Sequence, residues 1–171
     1  MDKNIRRQLT LFVPKTDAVE IERIRKKFNS RQQLLIHSHV TLCREHEIEN
    51  IEKVLDNLEN VKMSKIAVQF GQVTRFENNK GVLLRASGDN APFHQLREKV
   101  LNTSFKCGCG YEPHITLLHP GNSTCTDEIF EEIELVKLPT YLTFDTVSLI
   151  KQIDKGQWQI LKTFKLNHCD V

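Results

Sequence analysis

The chain contains 171 residues, with 24 lysines and arginines, 22 aspartates and glutamates, and 39% hydrophobic residues. This length suits one domain, and the near balance of charge excludes a disordered polyelectrolyte, a coiled coil and a strongly basic nucleic-acid coat protein. The longest apolar runs, such as residues 9–13 and 34–36, are far shorter than the ~20 residues of a membrane-spanning helix. We therefore expect a cytoplasmic protein without membrane contact, in which any contact with nucleic acid depends on a local site.

Short strands alternate with amphipathic helices along the chain. Apolar or alternating runs predict strands at residues 8–13, 34–43, 66–70, 73–77, 82–86, 113–118, 141–151 and 157–166. Apolar residues three and four positions apart predict helices near residues 17–29, 48–58, 90–100 and 125–137. Asp17 and Glu20 form a predicted capping box, Gly71 predicts a bulge, and residues 78–81 and 154–156 predict hairpin turns. This order predicts an α+β fold rather than a doubly wound parallel sheet, because no glycine-rich phosphate loop follows the first strand.

The cysteines do not indicate a structural metal site or a disulfide framework. The chain has five cysteines and no Cys-x-x-Cys pair. Cys107 and Cys109 lie in a Cys-Gly-Cys-Gly stretch, which we interpret as a glycine-containing loop with incidental thiols. A metal or redox site at this stretch is the alternative.

Two segments repeat the pattern His-aliphatic-Thr-Leu, at residues 39–42 and 114–117. The side-chain period of two along a strand places the histidine and the threonine of each segment on one face and the apolar residues on the other. Such a duplication would bring two imidazoles together across a cleft. Because imidazole titrates near neutral pH, one histidine can accept a proton while the other donates one, and threonine hydroxyls can donate to phosphate oxygens. The repeat therefore predicts acid–base chemistry on a phosphodiester.

The paired motifs resemble the signature of the 2H phosphoesterase superfamily. Over residues 8–166 the chain is similar to its 2'-5' RNA ligase-like branch, which includes RNA 2',3'-cyclic phosphodiesterases. The resemblance implies an α+β, bilobal fold with two pseudo-symmetric antiparallel-sheet lobes, helices on the outside and a central cleft. The two intertwined lobes would form a single domain over residues 1–171.

The same resemblance implies roles for the motif residues. His39 and His114 would be the catalytic acid and base, with His114 as the base, and Thr41 and Thr116 would bind the substrate phosphate. The implied reaction is metal-independent hydrolysis of 2',3'-cyclic phosphodiesters at RNA ends or in nucleotides, leaving a 2'-phosphate and needing no cofactor. The expected form is a monomer that binds RNA or a nucleotide with a 2',3'-cyclic phosphate.

Two alternative functions remain open from the sequence. One is a non-catalytic RNA- or nucleotide-binding module with the same cleft. The other is 2'-5' RNA ligase activity, because the intact motifs are compatible with ligation as well as with hydrolysis. A zinc hydrolase is a further alternative, since His37 would share a strand face with His39 and Thr41, and His46 or His119 would complete a ligand set.

Aromatic and cationic residues near the motifs are candidates for supporting roles. The candidates for stacking on a base are Tyr111, Phe12, Phe76 and Trp158, of which the first stands just before the second motif. Packing in the core is the alternative for each of them. The candidates for holding charge on the phosphate are Arg75, Arg85 and Lys151.

Overall fold

The computed structural model describes residues 3–103 and 110–166. The strands in these ranges are β1 (Ile5–Phe12), β2 (His39–Cys43), β3 (Ile66–Arg75), β4 (Val82–Ala86), β5 (His114–Leu118), β6 (Tyr141–Phe144), β7 (Thr146–Ile153) and β8 (Gln159–Lys165). The helices are α1 (Val19–Phe28), α2 (Ser30–Leu35), α3 (Ile51–Glu59), α4 (Ala91–Leu101) and α5 (Asp127–Glu134). The predicted loop with Cys107 and Cys109 lies outside the described residues. Within them, no helix has the length and apolar character to cross a membrane.

The strands form one sheet in the order β6-β3-β4-β5-β2-β1-β7-β8, and all neighbours are antiparallel. The central strands β2 and β5 are paired at Val40 and Ile115. This junction divides the sheet into a first half-sheet (β8-β7-β1-β2) and a second half-sheet (β5-β4-β3-β6). The chain crosses between them, since β6 lies in the second half-sheet and β7, which follows after a single residue, lies in the first. The sheet and its helices confirm the predicted α+β fold class.

The helices cover the face of the sheet that carries the apolar side chains. Helix α1 packs on β5, α4 packs on β2 and β3, and α3 packs on α4. The fully buried strand residues include Leu9, Leu11, Val40, Leu42, Ile115 and Leu117. Each such side chain contributes about 1.5–3 kcal/mol by leaving water. The apolar residues of both motifs therefore anchor β2 and β5 in the core, and the intervening side chains must point away from it.

The predicted hairpins and bulge are confirmed. Strands β3 and β4 pair antiparallel around a turn in which Asn79 has a positive φ of 57°. Strands β7 and β8 pair around Asp154 and Lys155, which also have positive φ. The register of β3 against β4 shifts between Phe70 and Val73, at the predicted bulge. Local turn chemistry was sufficient to locate these features.

Three local predictions are wrong. The predicted strand 34–43 is shorter, because residues 30–35 form α2 and β2 begins at His39. A short apolar run does not distinguish a strand from a helix turn. The predicted strand 141–151 is two strands, β6 and β7, which pair with different half-sheets. Helix α1 has no capping box, because its N-cap is Ala18 and Glu20 binds Arg23 instead of capping the backbone.

Candidate active site

Both motif histidines are the first residues of the two central strands. Since β2 and β5 are antiparallel and Val40 pairs with Ile115, the register places Thr116 across from His39 and Thr41 across from His114. The four polar side chains are partly exposed, whereas the residues between them are buried. The structure therefore brings the four predicted site residues together on one face of the sheet.

Backbone carbonyl groups fix the orientation of both imidazole rings. Nδ1 of His39 lies 2.8 Å from the carbonyl oxygen of His37, and Nδ1 of His114 lies 3.1 Å from that of Glu112. A carbonyl oxygen only accepts hydrogen bonds, so Nδ1 of each ring must carry the proton that it donates. In the neutral form the free lone pair is then on Nε2 of each ring. In both motifs the accepting carbonyl group belongs to the residue two positions before the histidine.

The electrostatic surroundings of His39 keep it uncharged. Burial is the main cause that lowers the pKa of His39 to about 4, although the hydrogen bond to His37 raises it. The positive charges of Arg25 and His114 lower this pKa further, and the charge of Glu22 raises it. His39 is therefore neutral at pH 7 in the free protein, which is the form that a general base requires.

An aromatic ring contacts each histidine at its edge. Phe12 on β1 is the register partner of His39, and the two ring centroids are 6.1 Å apart at an interplanar angle of 64°. Phe76, just after β3, contacts His114 at the same centroid distance and at 84°. Edge-to-face contacts of this kind stabilise a fixed ring orientation. Both half-sheets thus support their histidine with a phenylalanine.

Phe12 and Trp158, two predicted stacking residues, line one pocket of about 200 Å³. The pocket wall also contains Gln33, Leu34, Leu35, Ile36, His37, Gln157 and Ile160. The guanidinium of Arg6 lies over the Trp158 ring, 5.4 Å from its centroid. The His39 end of the site therefore borders an aromatic pocket with amide groups in its wall.

Tyr111 is held by the protein on several sides. Its hydroxyl donates a hydrogen bond of 2.6 Å to the carbonyl oxygen of Thr41, and burial raises the pKa of this hydroxyl. The ring stacks on Phe93, and the guanidinium groups of Arg44 and Arg97 lie 4.7 and 4.3 Å from its centroid. A base would have to displace these groups to stack on Tyr111. The observed contacts favour a supporting role for this residue in the first motif.

Of the three predicted phosphate-binding cations, two line the groove that contains His114, namely Arg75 and Arg85. Arg85 is the register partner of His114 and forms an exposed ion pair of 3.0 Å with Glu112. Arg75 binds Asp127, the first residue of α5, at 2.6 Å.

Lys151 lies on the opposite face of the sheet from the site. It is in register with Arg7, three residues from Thr10, and Thr10 is in register with Thr41. Residues three positions apart on a strand face opposite sides.

A buried charge network that the sequence did not predict supports the end of β2. Arg97 on α4 donates to the carbonyl oxygen of Leu42 and to Glu47, and the latter contact is 2.6 Å. Glu47 also accepts a bond of 2.7 Å from the backbone N–H of Arg44. Although burial raises the pKa of Glu47, the bonds from Arg97 and Arg44 lower it more, to about 2. The position of Arg44 just after the motif was a usable signal, whereas nothing in the sequence near Arg97 indicated this contact.

The histidines of the zinc alternative are not brought together. His37 is exposed and precedes β2. Within residues 3–103 and 110–166, no group of three histidine, cysteine, aspartate or glutamate side chains has the arrangement of a metal site.

Comparisons with known structures show the same fold. The apo structure of E. coli LigT has a TM-score of 0.66 at 16% identity, over 98% of this chain and 100% of that chain. The E. coli LigT complex with 3'-AMP gives 0.64 at 16% identity, over 95% and 98%. The Thermus thermophilus protein TT0787 gives 0.58 at 16% identity, over 96% and 99%. At such low identity, these structures establish a shared fold.

No curated protein matches the sequence significantly. Residues 13–156, however, match the family model described as the 2'-5' RNA ligase superfamily. The match includes both histidine strands and most of the elements that position them. The chain therefore belongs to the 2'-5' RNA ligase superfamily.

Proposed function

We propose that this protein hydrolyses 2',3'-cyclic phosphodiesters of RNA ends or nucleotides to 2'-phosphates, by metal-independent acid–base catalysis with two histidines. The observation that carries the proposal is the matched pair of rings on one sheet face, each with Nδ1 bound to a backbone carbonyl. Membership of the superfamily supports phosphodiester chemistry, and the LigT complex with 3'-AMP supports a nucleotide as the ligand.

The proposed step uses the two Nε2 atoms in opposite directions. Neutral His39 accepts a proton from water as the water oxygen attacks the cyclic phosphorus, and the bond from phosphorus to O3' breaks. Protonated His114 donates its Nε2 proton to O3', so that the products are a 2'-phosphate and a 3'-hydroxyl. Proton exchange with solvent then restores both rings. This assignment reverses the one implied by the family resemblance, because burial keeps His39 neutral at pH 7.

The positions of the two threonines support a role in phosphate binding. Thr41 and Thr116 flank the histidines on the same face, each across from the histidine of the other motif. Their hydroxyls donate hydrogen bonds to the non-bridging oxygens, where negative charge increases as water attacks. One hydroxyl from each half-sheet would hold the phosphorus between the two Nε2 atoms.

The test is a product assay on the purified protein. The substrates are the four 2',3'-cyclic mononucleotides and an RNA oligomer with a cyclic phosphate end, each with and without EDTA. We expect a 2'-phosphate, separated chromatographically from the 3'-isomer, at a rate that EDTA leaves unchanged. Binding without turnover, during long incubation with excess protein, would support the non-catalytic module instead. A 3'-phosphate product or loss of activity in EDTA would contradict the proposed regiochemistry or metal independence.

A further inference from the structure

An ion pair between a buried arginine and a partly exposed glutamate lies behind the first motif. Arg25 on α1 is 1% exposed, and its Nη1 bonds both carboxylate oxygens of Glu22, one turn earlier, at 2.9 and 3.1 Å. A buried ion pair often adds little net stability, because both ions lose their hydration. Its further contacts therefore indicate what the pair does in the molecule.

These contacts are with the segment that leads into β2. Nη2 of Arg25 donates to the carbonyl oxygen of Ile36 at 2.8 Å, and the backbone N–H of Ser38 donates to Glu22 at 2.6 Å. The ion pair thus binds the residue on each side of His37. The carbonyl group of His37 is the one that accepts the bond from Nδ1 of His39.

The second motif is built differently. The carbonyl group that orients His114 belongs to Glu112, whose side chain forms an exposed pair with Arg85. The buried arginine of α4, Arg97, donates to the carbonyl oxygen of Leu42 at the far end of β2 and lies over the ring of Tyr111, three residues before His114. The pair of Glu22 and Arg25 therefore acts on the segment before His39, and a different set of contacts holds the segment before His114.

We propose that Glu22 and Arg25 are positioning residues for His39, which clamp residues 36–38 and aim the His37 carbonyl at Nδ1. The clamp fixes the tautomer of His39 and directs its Nε2 into the cleft. This inference rests on the proposed function only for its kinetic readout, because ring orientation and titration are measurable without substrate.

The charges around His39 give the clamp a distinctive electrostatic effect. The groups that act on this ring are Arg25 and Glu22 from α1, His114 from β5, and the backbone at His37. Neutralising Glu22 removes a charge that raises the pKa of His39, and neutralising Arg25 removes one that lowers it. The two substitutions should therefore shift the pKa of His39 in opposite directions, which a general loss of packing would not do.

The experiment compares Glu22→Gln and Arg25→Gln with Glu20→Gln and Arg23→Gln. Glu20 and Arg23 form an exposed pair with the same spacing on the same helix, and they are the matched control. Long-range 1H–15N spectra of the imidazoles report the tautomer, and titration down through about pH 4 reports the pKa of His39. We expect the pKa to fall in Glu22→Gln and to rise in Arg25→Gln, each by on the order of half a unit, with the Nδ1–H tautomer less populated.

Kinetic measurements on the same variants distinguish a positioning role from a role in substrate binding. A misdirected Nε2 should lower kcat by about tenfold to a hundredfold and leave KM nearly unchanged, whereas the control variants should keep wild-type values. Shifts in the same direction, or shifts no larger than those of the controls, would overturn the inference. If Arg25→Gln does not fold, the nearly isosteric Glu22→Gln variant decides alone. If the wild type hydrolyses no cyclic phosphate, the spectra still decide the inference, so the two failures are distinguishable.

Discussion

The strands β2 and β5 carry the same motif, yet the two half-sheets surround it differently. In both, a backbone carbonyl holds Nδ1 and a phenylalanine edge contacts the ring. The register partner of the histidine, however, is Phe12 in the first half-sheet and Arg85 in the second. The repeated sequence thus builds two similar backbones, and the neighbours make the two histidines chemically different.

The difference extends along the site. The His39 end borders the pocket of Phe12 and Trp158, whereas His114 shares a groove with Arg44 and Arg85. An apolar, aromatic pocket suits a nucleobase, and the arginines of the groove, which also contains carboxylates, suit phosphate. Although the two motifs are alike, the two ends of the cleft therefore differ, and we expect the base of a substrate to bind at one particular end.

The largest effect is expected from removing either histidine. His39→Ala and His114→Ala should each lower kcat by about 10²–10⁴-fold, because each removes one partner of a concerted proton transfer. The double variant should be little worse than either single one, since the two act as a unit. Steady-state hydrolysis of a cyclic mononucleotide measures this, with the exposed His46→Ala as the control. Near-wild-type activity in one single variant would mean that the two motifs do not share the chemistry.

Replacement of the threonines should have the next largest effect. Thr41→Val and Thr116→Val keep the shape of the side chain and remove the hydroxyl donor, so each should lower kcat by about 10²–10³-fold. The exposed Thr103→Val, outside the site, should leave kcat unchanged. If the two threonines contribute equally to phosphate binding, the decreases in kcat of the two variants will agree within a few-fold. A decrease of kcat in only one variant would mean that only the threonine of that strand binds the phosphate.

The pH dependence tests which histidine is the base. The pKa of His39 is lowered to about 4, so a base at this position is fully active at pH 7 and becomes protonated only as the pH falls through about 4. We expect the acid limb of the kcat/KM profile near pH 4 in the free enzyme. If His39 were the acid, kcat/KM would instead decrease as the pH rises above about 4. The profile is measured with a cyclic mononucleotide, and the fold is checked by circular dichroism at each pH.

The sequence was sufficient for the features that depend on local pattern. The period of two placed His39 with Thr41 and His114 with Thr116, and turn residues located both hairpins. The sequence did not predict contacts between segments that are far apart along the chain. Arg25 reaches Ile36, and Arg97 reaches Leu42 and Glu47, across separations that no periodicity reports. The low pKa of His39 was not predicted either, because its main cause is burial in the folded chain.

The smallest effect is expected at the two register partners, Phe12 and Arg85, where the half-sheets differ. Arg85 is exposed and paired with Glu112, and such ion pairs contribute about 0–1 kcal/mol, so Arg85→Gln should leave stability unchanged. A cation beside the phosphate acts mainly through binding, so the variant should raise KM by about threefold to tenfold, and by less at high salt.

Phe12→Leu is the matched change in the other half-sheet. It removes the aromatic face but no charge, so its effect should depend on the identity of the base and should not respond to salt, because stacking is not screened by ions. KM values for the four cyclic mononucleotides at low and high ionic strength measure both variants. Equal base preference and equal salt response in the two variants would show that the two ends of the cleft do not differ in what they bind. A base-dependent effect in Phe12→Leu together with a salt-dependent effect in Arg85→Gln would assign the base to the end at His39 and a cation beside the phosphate to the end at His114.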